Sequence, residues 1–263
     1  MKLGIDFGSS FTDAVIMQDS KIKKTISFDK KDNIDLILCK LIPNKFEEIC
    51  VTGSGSLKLS DEINNIKIKK VDEIKAIGFG GLYVSNKKEA LVISIGTGTA
   101  MISCRDEIKH IGGIPIGGGT ILGLGKLIMN IDNLTKIDAL AKKGNLENVD
   151  LTLKEIYPQG IGLLSADATA SHFGKLKQYS NEDIALGLIN LAAQSIGTLA
   201  VFTAKAANHK EIVFTGRLIK SKIFKELLEK RIYILSKTPV TIPKNAEYST
   251  AIGAVIDVSL VQV

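Results

Sequence analysis

The sequence predicts an α/β protein folded as two related lobes around a shared cleft, and three observations carry that prediction. Residues 2–6 (KLGID) and 14–17 (AVIM) read as strands joined by a tight turn of small residues, Gly8-Ser9-Ser10. The apolar run over residues 90–104, creased at Gly96-Thr97-Gly98-Thr99, reads as a second strand-turn-strand unit of the same kind, so the opening of the chain is echoed in its middle. Strands then alternate with helix-spaced apolar segments, and no linker or low-complexity stretch intervenes, so residues 1–89 and 90–263 are expected as two tightly packed lobes.

In the first half, residues 21–28 complete a three-strand meander. Residues 33–41 have helical apolar spacing and stop before Pro43, and residues 48–52 (EICVT) form a short buried strand halted by Gly53-Ser54-Gly55. Residues 66–71 are a further strand. Asp72 then leads a helix toward Leu82 and Tyr83, which places Glu73 in its first turn, where the backbone dipole favours a carboxylate.

In the second half, the hairpin of residues 90–104 carries its glycine-threonine crease in its first strand and turns at residues 105–107. Gly117-Gly118-Gly119 opens an apolar helix, and a helix over residues 135–143 takes Thr135 as its N-cap and Gly144 past its end. The helix of residues 181–207 presents Ala192, Ala193, Gly197 and Ala200, small enough for another helix to approach closely. A strand over residues 211–216 stops at Thr215-Gly216, an amphipathic segment covers 224–235, a short strand 240–243, and Tyr248 opens the closing helix.

With 45% apolar and 24% charged residues the chain has the make-up of a soluble globular protein. Its net charge of +6 comes from scattered lysines, a mild attraction for an anionic ligand. No basic stripe with interleaved aromatics marks a nucleic-acid partner. The apolar stretch of residues 185–204 is interrupted by Asn190, Gln194, Ser195 and Thr198, so it is expected as a buried helix and not a membrane span. Cys39, Cys50 and Cys104 are odd in number and lack CxxC spacing, as buried thiols of a reducing compartment do, and the N-terminus enters a strand without a signal-peptide profile. A cytoplasmic location is expected.

The chemistry concentrates in the turns. Glycine lets a ligand approach the backbone, and the hydroxyls of Thr97 and Thr99 can bond phosphate oxygens, so the crease is a candidate phosphate clamp. The triple glycine at a helix start offers amides to an anion in the same stretch. Asp6 closes the first strand beside the hydroxyl-rich turn, a setting suited to Mg²⁺, held directly or through water. Glu73 can serve as a general base toward a substrate hydroxyl. The strand ending at Thr215-Gly216 suits a floor for an adenine ring or ribose.

With these pieces in order, the chain resembles the superfamily of acetate and sugar kinases, actin and heat-shock chaperone ATPases, and within it the type II pantothenate kinases. The likeness runs from GIDFGSSFTDAVI through VDEIKAIG, VISIGTGTAMI, HIGGIPIGGGTILGLG, SADATASHFG and IVFTGRL to AIGAV. It implies a two-lobe actin-like ATPase (ribonuclease H-like) fold with an interlobe nucleotide cleft, Mg²⁺ and ATP as cofactors, pantothenate as substrate, and a homodimer with the small-residue helix faces as its expected seam. The ATP phosphates would lie against Asp6, Gly8, Ser9, Ser10, Thr97, Gly98, Gly118, Gly119 and Thr120, and the nucleoside against Gly216 and Arg217. Asp6 would serve the metal, Glu73 would be the catalytic base, and Thr99 and His110 would face the substrate. The chain departs from the family pattern at Ser9 and Ser10, which stand for glycine and threonine, at Asp13, which stands for a lysine, and at His110, which stands for an arginine. His110 leaves another small hydroxyl compound open as acceptor, or a regulatory nucleotide-binding ATPase without small-molecule transfer. An iron-sulfur activator role is not expected, since Cys104 lacks partner cysteines at bridging spacing.

Overall fold

The computed structural model describes residues 1–29, 37, 40–41, 46–63, 66–162, 164–175 and 178–256. β-Branched and aromatic residues build two sheets. In the first, β1 (Lys2–Phe7), β2 (Phe11–Gln18) and β3 (Lys21–Asp29) form an antiparallel meander. β4 (Glu48–Thr52) and β6 (Ile66–Lys70) continue in parallel beyond β1, with the short β5 (Glu62–Ile63) at the edge. In the second, β7 (Ala90–Ile95), β8 (Thr99–Cys104) and β9 (Ile108–Ile114) repeat the meander, and β12 (Ile212–Thr215) and β13 (Val240–Thr241) continue in parallel beyond β7. The strand orders β3-β2-β1-β4-β6 and β9-β8-β7-β12-β13 are therefore one wiring used twice. A separate ribbon pairs β10 (Leu151–Thr152) with β11 (Thr169–Ser171).

The run of residues 90–104 divides differently from expectation. Gly96, Thr97 and Gly98 are the hairpin turn itself, not a crease within a strand, and the turn at Arg105 leads into β9, a strand absent from the sequence reading. Glycine content hides β9 from propensity, yet Gly113 is required there, because a Cβ would lie 2.4 Å from the Thr99 carbonyl oxygen.

Two helices fill the space between the sheets. α1 (Glu73–Ser85) starts after Asp72, whose carboxylate accepts from the Lys75 amide at 3.0 Å, and lies against β7, β8 and β9. The closing helix, α6 (Ser249–Val255), packs on β1, β2 and β4. The pair meets backbone to backbone: a Cβ on Gly80 would be 1.9 Å from the Ser249 carbonyl oxygen, and one on Gly253 would be 1.9 Å from that of Ala76. Val15 and Cys50 of the first sheet and Val92 and Ile102 of the second join one core around them.

The other face of the second sheet is covered by α2 (Gly118–Met129), α3 (Leu134–Ala141), α4 (Asn181–Ala206) and α5 (Lys222–Leu235), over a core that includes Leu91, Ile93, Phe214 and Phe224. Asn133, not Thr135, caps α3, its side chain accepting from the Lys136 amide at 3.0 Å. Ser180 and Asp183 cap α4 reciprocally. Among the described residues α4 is the one helix long and apolar enough to cross a membrane, and two thirds of that stretch is buried inside the protein. Its small face is spent internally: Ala192, Ala193 and Ala200 are fully buried and Gly197 meets Leu228 of α5, so this seam joins two helices of one chain and is not open to a second copy. His209, which stands between Asn208 and Lys210 in the sequence, is buried, with Nε2 2.7 Å from Ser103 Oγ. The helix expected over residues 33–41, and Cys39 with it, lies largely outside the described residues.

Candidate active site

The shared wiring aims two hairpin turns at each other. Residues 8–10 join β1 to β2, residues 96–98 join β7 to β8, and the turns touch: Thr97 Oγ1 lies 2.6 Å from Ser9 Oγ and 3.0 Å from Ser10 Oγ. They line a cleft of about 1480 Å³ between the sheets, at the carboxyl ends of β1, β7 and β12. Of the residues singled out from the sequence, Asp6, Gly8, Ser9, Ser10, Glu73, Thr97, Gly98, Thr99, His110, Gly118, Gly119, Gly216 and Arg217 all line it.

Their chemical states differ from one another. Asp6 sits one residue before the end of β1, and its Oδ1 is buried without a hydrogen-bond partner. Burial, then the nearby Glu73 and Asp13 carboxylates, push its pKa up to about 7 against the opposing pull of Arg217. A buried acceptor left unsatisfied at a cleft wall fits a cation or its water shell. Among the described residues no cluster of three or more His, Cys, Asp or Glu is present. Glu73, in the first turn of α1, is also raised, by burial first and then by Asp72.

Three expected contacts take another form. Thr120 is not part of the cleft lining, and its hydroxyl accepts from the Gly117 amide at 3.3 Å and donates to the Pro115 carbonyl at 3.1 Å. The hydroxyl of Thr99 donates to the Ile116 carbonyl at 2.7 Å. The triple glycine does not offer idle amides: Gly118 N–H donates to Gly96 O at 2.8 Å and Gly119 N–H to Thr97 O at 3.0 Å. These glycines permit backbone docking onto the 96–98 turn, since a Cβ on Gly119 would lie 2.4 Å from Thr97 Cγ2. Gly216 follows β12 at φ +95°, where a Cβ would be 2.3 Å from the Ile95 oxygen, so it must be glycine.

Arg217 crosses from one lobe to the other. Its Nη2 donates to Asp13 Oδ1 and, at 3.1 Å, to Ser27 Oγ, and its guanidinium lies 3.9 Å from the centre of the Phe11 ring. Asp13, a departure noted in the sequence, thus faces a cation. Asp138 and Ser221, unmarked in the sequence, also line the cleft and are bonded at 2.7 Å, but each alone reads as an ordinary helix residue.

A family model described as Fumble matches residues 89–257. The chain belongs to the Fumble family. Its similarity to curated members extends to the full length: a protein of Bacillus thuringiensis subsp. konkukian named type II pantothenate kinase is 29% identical, over 97% of this chain and 96% of the relative. A protein of that name from Oceanobacillus iheyensis is 27% identical over 97% and 98%. The resemblance drawn from the sequence motifs therefore stands. Among solved structures, the activator of the 2-hydroxyisocaproyl-CoA dehydratase from Clostridium difficile, with bound ADPNP, superposes with a TM-score of 0.68 at 16% identity, covering 96% of this chain and 92% of that one. A ROK family glucokinase from Streptomyces griseus, in complex with glucose and AMPPNP, gives 0.58 at 10% identity over 96% and 97%. The Fumble chain thus has the two-lobe actin-like fold of these proteins. Its Cys50 and Cys104 are buried in the core, and burial pushes both thiols up to about 12.

Proposed function

We propose that the chain is an ATP-dependent kinase that phosphorylates pantothenate to 4'-phosphopantothenate, the first step of coenzyme A biosynthesis. The contact of the two hairpin turns over a cleft that holds both Asp6 and Glu73 carries this reading, together with full-length relatives named type II pantothenate kinase. In this scheme Glu73 takes the proton of the acceptor hydroxyl, whose oxygen bonds the γ-phosphorus as the bond from that phosphorus to the β,γ-bridging oxygen breaks, and ADP departs. Ser9, Ser10 and Thr97 exchange their mutual contacts for phosphate oxygens, and the glycines at 8, 98, 118 and 119 let the chain run close beside them. Asp6 is the residue to hold Mg²⁺, which when bound neutralises phosphate charge. Gly216 and Arg217 border the nucleoside, with Thr99 shaping the wall and His110, on the exposed edge strand β9, meeting the acceptor.

The lobe division falls at residue 89 along the chain, with α1 and α6 exchanged across it. The resemblance also supports a homodimer, on a surface other than the buried face of α4, and a cytoplasmic enzyme. His110 favours a second reading, a kinase for a different small hydroxyl compound, because imidazole grips a carboxylate less firmly than guanidinium does. The test is a phosphoryl-acceptor screen with Mg-ATP, led by pantothenate and pantetheine. ADP release is expected to rise with pantothenate, and Glu73→Gln to lower that rate by about 10²–10⁴-fold while nucleotide binding persists. Release driven by another acceptor alone would move the assignment to the second reading. Release indifferent to every acceptor would leave a regulatory ATPase.

A further inference from the structure

Asp13 places a carboxylate on the wall of a cleft that, on the reading above, receives a polyanion. Simple Coulomb reasoning makes such a residue a liability for nucleotide binding. The local geometry gives it another part. In the first sheet Asp13 lies opposite Asp6 on β1 and Ser27 on β3. Its Oδ1 accepts from Ser27 Oγ at 2.6 Å and from Arg217 Nη2, so the carboxylate is enclosed by donors from both lobes. Only 11% of the Asp13 side chain and 23% of that of Arg217 remain exposed, too little for the pair to be a solvent-screened surface bridge.

Arg217 is fixed in three ways. Asp13 and Ser27 share its Nη2, Phe11 lies under the guanidinium plane, and Gly216 pins the backbone that carries it against Ile95. Without the carboxylate the long side chain would regain its rotamer freedom, at a cost in order that nucleotide would then have to supply. Both polar contacts use one nitrogen of a fork that carries five donors, so the pairing orients the cation without consuming it.

We propose that Asp13 is a positioning residue for nucleotide binding: it holds the Arg217 guanidinium against the wall of the first lobe, so that a cation rooted in the second lobe keeps a fixed place beside the nucleotide it borders. This rests on the nucleotide reading of the cleft but not on the identity of the acceptor. It makes a counterintuitive forecast, that removing a negative charge from the site weakens the binding of an anion.

The experiment is calorimetric binding of adenylyl imidodiphosphate with Mg²⁺ to the full chain and to Asp13→Asn, Arg217→Ala and the double variant. Asp13→Asn is expected to raise Kd about tenfold, as loss of a hydrogen bond to a charged group does, and the double variant to bind no worse than Arg217→Ala alone. In turnover, the loss should fall on KM for ATP more than on kcat, which a general loosening of the fold would not do. Tighter or unchanged binding by Asp13→Asn, or penalties that add in the double variant, would overturn the proposal. Should Asp13→Asn not fold, Arg217→Lys makes the same test: it keeps the charge but loses the fork and the stacking on Phe11, and undiminished affinity there would sink the idea. Failure of the unmodified chain to bind the analogue at all would instead bring down the nucleotide reading, and this inference with it.

Discussion

Single residues in this protein take their character from neighbours distant in sequence. Ser9 and Thr97 could be marked from the sequence because glycine and hydroxyl turns announce themselves locally. Asp13 could be noticed only as an oddity, since the guanidinium that gives it a purpose is 204 residues away. His209 was illegible for the same reason: its surroundings in sequence are polar, but Ser103 and Arg105 close over it in space. Its pKa is lowered, by burial first and then by the charge of Arg105, with Glu89 opposing. A base whose folded pKa lies below its unfolded value adds stability that is present above about pH 6.5 and is lost as the pH falls through the folded value, because the unfolded chain binds the proton first. Thermal unfolding should accordingly give a lower midpoint at pH 5.5 than at pH 7.5, and His209→Gln should shrink that difference. An equal difference in the variant would assign the pH effect to other groups.

At the level of strands and helices, the sequence disclosed those elements whose apolar pattern matches their period and concealed those built on glycine. β7 and β8 were visible, but β9, with Gly112 and Gly113, was not, and its close approach to β8 is the reason for the glycine. The triple glycine was visible as a helix start. Its amides look free for an anion, because nothing in the residues at 117–119 tells that the turn at 96–98 supplies carbonyls to them. The α1–α6 crossing was hidden as well, for Gly80 and Gly253 each look like a weak point in a helix until their partner is seen. There Gly253→Ala, a helix-favouring change in isolation, should destabilise by about 3 kcal/mol, since the added methyl collides with backbone and not with a side chain that can turn aside. A denaturant midpoint equal to that of the parent chain would contradict such tight packing.

For the molecule as a whole, the doubled wiring explains where the site is and why it is asymmetric. Corresponding positions recur: Asp6 and Ser94 before the ends of β1 and β7, Thr52 and Thr215 at the ends of β4 and β12, Gly53 and Gly216 at φ +83° and +95°, then Ser54 and Arg217. Each half thus brings the same backbone, while the acid comes from the first lobe and the guanidinium from the second. The core around α1 and α6 draws on both sheets, so the described chain should unfold as one unit. A nucleotide analogue at 100 times its Kd should add about 2.7 kcal/mol and shift that single transition in scanning calorimetry. Two transitions, with one of them indifferent to ligand, would show that the halves do not share the site. The exchange of helices across the lobes has one more effect. Glu73 opens a helix seated on the second sheet, whereas Asp6 belongs to the first, and the glycine crossing of α1 and α6 is what joins the two. Any change in the angle between the sheets would therefore alter the spacing of the two carboxylates that the proposed transfer needs side by side.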